Sequence, residues 1–484
     1  MRGREIRTSS HSLLLCALVV CALLTAAAIV RWNDWTYGSD TGTFAQAVLN
    51  TFHGFSDALE NGSHFRFHFS PILGILWPLI AIFRTPLVLQ FVQILLIGIC
   101  PLIVARLMHA YVREPWPTRC GLLVLLYPPL LAGAFSEFHE LAFYPPVILG
   151  LLLAADRARW RWFALLSLAA VCIREDASVD LIVIGVALAA IGIVRRTTRE
   201  RGLFLGEPVE PERLSVAGLS LALLAAISLE LYTAVILPKI GSWAPSHFYD
   251  YPFASGPLQT ALAIFTHPIA LIAAIATLGR LTYVLEAIAP LALLPLFSRW
   301  SLLAVPGIAG IILASDASVW RMGMHYELLW APLLVLAAAW KLAQLVRSGS
   351  ADAARVWWIT AIVCSIVVLA AFNPMHPAHY LKRAAYTHTN DLAVVLRCVP
   401  RDAPIAMHDE WFAREALNYP HATVLGANPQ SFDGYVVYAS DWNNPLFERV
   451  LPALKNAEQS GAYSLACASG SVRAVRATAY RTTE

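Results

Sequence analysis

Charge is scarce in this chain. Asp, Glu, Lys and Arg supply 14% of its 484 residues and hydrophobic residues 58%, whereas a soluble domain is about 25% charged. With a mean hydropathy of +0.60, this composition excludes the soluble globular class and points to a polytopic membrane protein. The net charge of +3 is small. Basic residues stand at the ends of apolar runs and form no patch, so nothing supports nucleic-acid binding. Six of the eight cysteines (Cys16, Cys21, Cys100, Cys120, Cys172 and Cys364) lie in or beside apolar runs without metal-ligand spacing, as small packing residues do. An H-E-x-x-H zinc-hydrolase motif is missing, because His139-Glu140 is followed by Leu141-Ala142-Phe143. Internal repeats and matched Gly/Pro-broken helices, the marks of repeat-built transporters, are missing too.

What is present is a series of apolar runs. A crossing needs about 20 apolar residues, fewer where protein covers the helix. This gives about eleven transmembrane helices, at roughly 12–30, 86–108, 120–135, 141–156, 162–174, 177–194, 215–237, 260–279, 281–298, 325–345 and 356–373. Met1 to Arg7 is basic, and the run Leu13 to Val30 exceeds the ~15 residues of a signal-peptide core, so it reads as an uncleaved signal anchor. The clusters Arg2/Arg4/Arg7, Arg106/Arg113/Arg119, Arg157/Arg159/Arg161, Arg195/Arg196/Arg199/Arg201 and Lys341/Arg347/Arg355 fall on one side if the amino terminus is cytoplasmic. The expected topology is multi-pass in the inner or plasma membrane, with the carboxy terminus outside. Pro71 to Phe83 and Leu302 to Leu313 are too short to cross and are expected to be re-entrant or interfacial helices on the outer face, beside a cavity.

Hydrophobicity collapses near residue 373. Residues 1–373, with an outer loop at 31–85, read as the transmembrane domain and residues 374–484 as a small extracytoplasmic α/β lobe. Within the lobe the patterns predict a helix over Asn390 to Cys398, a strand over Pro404 to Met407, a helix over Glu410 to Leu417 and a strand over Gly434 to Tyr438. Cys398 and Cys467 both fall in the lobe, where an oxidising compartment could join them.

Twelve of the fourteen histidines fall on the outer side, with only His11 and His109 facing the cytoplasm. Four polar groups converge at the outer mouth of this topology: Asp40, Glu137-Phe138-His139-Glu140, Arg174-Glu175-Asp176 and His325-Tyr326-Glu327. Ionisable groups at membrane depth are costly and mark functional pathways. Glu137 and Glu140, three apart, would share one face if the preceding helix continued through them. Arg174 either pairs with Glu175 or Glu137 or offers its planar fork to a phosphate.

The motifs Asp40-x-Gly42-x-Phe44-x-Gln46, His68-Phe69-Ser70-Pro71, Glu137-Phe138-His139, Arg174-Glu175-Asp176 and His325-Tyr326, with the trailing lobe, resemble a bacterial integral membrane family. That family is known as domain of unknown function 2079 and is itself similar to the GT-C glycosyltransferases, which use polyprenyl-phosphate sugars. The resemblance covers most of the chain. It implies an α-helical, polytopic, GT-C-like fold and base-assisted inverting transfer of a sugar from a polyprenyl-phosphate donor to an extracytoplasmic glycan, lipid or protein acceptor. Asp40 would be the base; His64, His68, Arg174, Glu175, His325 and Tyr326 would bind the lipid phosphate, with Gln46, Glu137, His139 and Glu140 in support. A GT-C first loop often carries two adjacent acids, whereas Asp40 stands between Ser39 and Thr41. The transfer requires no cofactor; a divalent cation (Mg or Mn), if used, would sit on Asp40, Glu137 and His139. The rival classes are a transporter and a non-catalytic lipid-binding or assembly protein.

The basic-loop pattern makes one prediction: a reporter fused after Glu484 is active only when exported. Activity of a cytoplasmic reporter at that position would overturn the topology.

Overall fold

Where no water reaches the backbone, long apolar runs fold as helices that satisfy their own hydrogen bonds, and the structure, a computed structural model, is built on that rule. It describes residues 2–198, 209–241, 262–263, 265–320, 322–371, 388–426, 428–441 and 445–480. Among these, six helices are long and apolar enough to cross a membrane: His11–Asn33, Leu87–Met108, Ala177–Arg196, Pro211–Ile240, Glu327–Arg347 and Ala351–Ala371. Two bent pairs, Trp116–Leu125 with Pro128–Phe135 (48°) and Pro268–Ile275 with Leu278–Leu291 (72°), bring the number to eight if each pair is one span.

The difference from about eleven has identifiable causes. The runs at 141–156 and 162–174 fold as Tyr144–Asp156 and Trp160–Val171, of 13 and 12 residues, shorter than the ~20 that a bilayer core needs. The runs at 260–279 and 281–298 give the second bent pair, in which Pro268 opens a new helix; residues 242–261 lie outside the described ones. The two segments too short to cross are short apolar helices, Pro71–Phe83 and Arg299–Leu313.

The chain divides into two compact units: Met1–Ala26, His68–Ile72 and Phe91–His379 form the first, and Ala27–Phe67, Leu73–Gln90 and Tyr380–Glu484 the second. In the first unit, Leu15, Leu18 and Leu23 are exposed on the amino-terminal helix, as a lipid-facing surface requires. The helices Ala177–Thr198 and Pro211–Glu230 meet at glycines. A Cβ on Gly185 would lie 2.6 Å from the Gly218 carbonyl oxygen, and one on Gly218 2.5 Å from the Ala189 nitrogen. Small residues permit such an approach, and dispersion between the backbones holds it.

The second unit carries the strands. A hairpin pairs β1 (Ser56–Asp57) with β2 (Gly62–Ser63), antiparallel. The lobe has a sheet of β3 (Ile405–Met407), β4 (Ala422–Val424), β5 (Tyr435–Ala439), β6 (Tyr463–Ser469) and β7 (Val472–Ala477), in the order β4-β3-β5-β7-β6. The β4-β3-β5 half is parallel, and β7 and β6 add antiparallel. Strand alternation splits its core into two layers. Ile405, Met407, Tyr435 and Val437 pack with Leu392, Val395, Trp411 and Phe412; Ala406, Val436, Tyr438 and Val475 pack with Val450, Leu454 and Ala457. Cys398 and Cys467 are disulfide-bonded, with Cα atoms 6.4 Å apart.

Much of segment 31–85 packs with the carboxy-terminal residues in this unit. The helix Ser39–Leu49 buries Gly42 and Gln46. A Cβ at Gly42 would come 2.8 Å from Cε1 of Phe412. The Gln46 amide donates to the carbonyls of Ala416 (3.1 Å) and Ala422 (3.2 Å), and its oxygen accepts from the Ala58 N–H (3.0 Å). Arg414 lies over the Trp35 ring, 4.3 Å from its centroid, and donates to the Trp32 carbonyl at 3.2 Å.

Gln46→Leu keeps the volume but strands the Ala58 N–H and two buried carbonyls. It should destabilise the second unit by about 2 kcal/mol or more, since each unsatisfied buried group costs about 1–3 kcal/mol. Thermal unfolding in detergent checks this; a melting temperature within 1 °C of wild type would show these bonds to be dispensable.

Candidate functional site

The polar centre of the first unit starts with a helix that stops early. The Gln93 amide donates to the carbonyls of Gly133 (2.9 Å), Ser136 (3.1 Å) and Glu137 (3.2 Å), and its oxygen accepts from the His139 N–H (3.0 Å). A side chain thus takes backbone groups that a continuing helix would have used, and the helix Pro128–Phe135 ends before Ser136. Glu137 and Glu140 are therefore not on one helical face, contrary to expectation. Glu137 is half-buried, while Glu140 is fully buried at the start of the turn Glu140–Phe143.

Arg174 is 2% exposed. Its Nε donates to Asp176 Oδ1 at 2.9 Å, its Nη2 to Asp176 Oδ2, and its Nη1 lies 3.4 Å from Glu140 Oε1. The ion-pair partners are Asp176 and Glu140, not Glu175 or Glu137. Glu175 turns the other way: Oε1 meets His68 Nδ1 at 2.7 Å, and Oε2 accepts the Phe69 N–H at 2.7 Å. The Ile72 N–H donates to the Cys172 carbonyl at 2.9 Å, so His68–Ile72 is sewn along the 172–175 turn. Burial, with the neighbouring Asp176 charge, pushes the Glu175 carboxyl up to about 7.

Beside these groups the His139 and His325 rings stack with centroids 3.3 Å apart, and Tyr326 lies 4.0 Å from His325 and 5.8 Å from the Arg174 guanidinium carbon. Glu327 accepts the N–H groups of Gly323 (2.9 Å) and Met324 (3.3 Å), closing the start of its own helix. Eight expected residues, His68, Glu137, His139, Glu140, Arg174, Glu175, His325 and Tyr326, thus belong to one unit. Sequence reading missed Gln93 and Asp180. The latter is buried in the helix Ala177–Thr198 and bonded by the Tyr144 hydroxyl at 3.3 Å; an acid inside an apolar run was its signal.

The remaining expected residues are in the second unit. Asp40 is half-buried in the first turn of Ser39–Leu49, whose N-cap is Gly38. It is not the cap; as a first-turn acid it gains about 0.3–1 kcal/mol from the helix dipole. Gln46 spends its amide on main chain, as described. His64 is buried with Nδ1 3.0 Å from Glu60 Oε2 and its ring edge-on to Phe44. Asp57, Glu60 and His64 hold ligand atoms within 4.8 Å of one another, a cluster that the sequence reading did not single out although D-x-x-E-x-x-x-H is its spacing.

Residues 35–395 match the family described as predicted membrane protein (DUF2079). The chain belongs to that family. No curated protein matches the sequence. Among solved structures it is similar to ArnT from Cupriavidus metallidurans bound to undecaprenyl phosphate, 13% identical over 94% of this chain and 97% of that one, with a TM-score of 0.45. It is also similar to the Archaeoglobus fulgidus oligosaccharyltransferase in the apo form, 11% identical over 93% of this chain and 73% of that one, with a TM-score of 0.44.

The environment of Glu175 sets a pH dependence. Its folded pKa of about 7 lies above the ordinary 4.5, so the protonated carboxyl stabilises the fold; that contribution is complete below about pH 4.5 and is lost as pH rises through about 7. Glu175→Gln should flatten this fall in melting temperature between pH 5 and 8. An unchanged slope would assign it to other groups.

Proposed function

We propose that this membrane protein is a glycosyltransferase that moves a sugar from a polyprenyl-phosphate donor to an extracytoplasmic acceptor. Asp40 takes the proton of the acceptor hydroxyl, the acceptor oxygen bonds to the anomeric carbon with inversion, and the carbon–oxygen bond to the lipid phosphate breaks, its electron pair leaving with the phosphate. Arg174, His68, His325 and Tyr326 receive that phosphate, with Glu175, Glu140, His139 and Glu137 fixing their orientation. His64 is not included, since its Nδ1 is turned to Glu60.

The observation that carries the reading is the buried guanidinium of Arg174 beside stacked imidazoles and a tyrosine in a unit made of apolar helices. Buried charged groups are costly unless paired, and where they lie at membrane depth they mark anion or proton paths. Asp176, the partner on Arg174's fork, has a side chain 37% exposed; it is the group that a phosphate would displace. The motifs resemble the domain of unknown function 2079 family, and that family's more distant similarity to the polyprenyl-phosphate transferases supports the same reading. A transporter is the second reading, favoured by the buried acid Asp180 within a span.

Asp40→Asn removes the base and keeps the size. Turnover should fall by about a hundredfold or more, the usual share of general-base catalysis, while donor-lipid binding survives. Unchanged glycosyl transfer to an identified acceptor would remove Asp40 from the mechanism.

Arg174→Lys keeps the charge and loses the planar fork. It should weaken donor binding, read by native mass spectrometry of co-purifying polyprenyl phosphate, more than it lowers the melting temperature. Equal losses would make Arg174 a structural ion pair only.

A further inference from the structure

The hairpin β1–β2 is short and tightly held. Asn50 donates to the Ser56 carbonyl at 2.8 Å, the His64 N–H donates to the Phe55 carbonyl at 2.8 Å, and the turn runs through Asn61 and Gly62 with positive φ of 52° and 148°. This geometry brings Asp57 at the end of β1, Glu60 in the turn and His64 just past β2 onto one spot, with a ligand atom from each within 4.8 Å of the others.

We propose that Asp57, Glu60 and His64 form a binding site for a divalent first-row transition cation, with water completing the coordination. One imidazole nitrogen and two carboxylates are a donor set for such an ion. Around tetrahedral zinc, ligand atoms about 2.0–2.1 Å from the metal stand roughly 3.3 Å from one another, and His64 Nδ1 already lies 3.0 Å from Glu60 Oε2. All three residues are buried, at 5%, 4% and 1% exposure.

A second observation points to a ligand. Asp57 Oδ1 accepts the Glu60 N–H at 2.7 Å, but Oδ2 is buried and meets no hydrogen-bond donor or acceptor among the described residues. Two carboxylates sharing a buried site with one imidazole carry excess negative charge, and burial together with Glu60 pushes the Asp57 carboxyl up to about 8. A proton shared between the Asp57 and Glu60 carboxyls is one way to remove that charge. A cation removes the charge and engages the oxygen. The site is distinct from the Asp40, Glu137 and His139 set considered above, and its occupant would clamp the hairpin.

The test uses the full-length protein in detergent, stripped with EDTA and titrated with Co2+ or Zn2+. One Co2+ per chain should bind with visible d–d absorption. Zn2+ should raise the melting temperature of wild type, and Asp57→Asn and His64→Gln should each weaken Co2+ binding tenfold or more and abolish the Zn2+ response. Should either variant fail to fold, the stoichiometry and spectrum of the wild type decide alone. Substoichiometric Co2+ without d–d bands would overturn the proposal. So would Asp57→Asn that binds Co2+ as wild type does, or that is more stable than wild type and indifferent to Zn2+, the result expected of a merely protonated carboxyl. None of these readouts requires the sugar-transfer reading.

Discussion

A guanidinium with 2% of its surface exposed loses several kcal/mol of hydration unless carboxylates surround it, and the polar centre of the first unit is arranged around meeting that demand at Arg174. Glu140 can reach it because the helix Pro128–Phe135 stops where Gln93 captures its last carbonyls. Asp176 reaches it from two residues along the same turn. Deleting one partner of such a set typically costs 3–5 kcal/mol, because the remaining charge stays buried. Gln93, far from any titrating role, is therefore as necessary to the site as the charged residues it positions.

The same economy of main-chain capture recurs in the second unit. A single buried amide, Gln46, answers carbonyls 370 or more residues away in sequence and an N–H twelve residues away. Such a side chain fixes orientation as well as distance, since donor and acceptor ends cannot be exchanged without losing both sets of bonds. The Gly42 contact with Phe412 removes the slack that would let the helix slide. Gln46 belongs to the motif that carried the family resemblance, and its geometry gives that motif a folding role besides any catalytic one.

Much of the architecture was legible in the sequence because hydropathy and strand alternation act locally. The long spans, the two short apolar helices and four elements of the lobe, Thr389–Leu396, β3, Asp409–Glu415 and β5, lie where periodicity predicts them, whereas β4, between the last two, was not anticipated. What escaped was decided by distant partners. The helix break at Ser136 depends on Gln93, some forty residues earlier, and β7 finds its place between β5 and β6 by pairing with both. Arg174 and its acids were visible as a motif, but choosing Asp176 and Glu140 over Glu175 and Glu137 required the direction of each carboxylate. The spacing of Asp57, Glu60 and His64 is i, i+3, i+7, which would also suit one face of a helix; here it is a hairpin that brings the three together.

Charge balance constrains what the centre of the first unit can accept. Glu140, Glu175 and Asp176 are three carboxyls set against one guanidinium, with His68 engaged by Glu175. A phosphate entering this site would add negative charge to a region already balanced or acidic, which the low local dielectric makes expensive. Two routes offset that cost: Asp176 swings away from the Arg174 fork, or a proton is taken up by the raised Glu175 carboxyl. In either case anion binding and protonation are linked, because a group that holds its proton more tightly in the bound state must release it when the anion leaves. On the proposed sugar-transfer reading, a polar centre of this composition suits an anion that arrives and departs, since a permanently held one would favour more guanidinium and fewer acids around it.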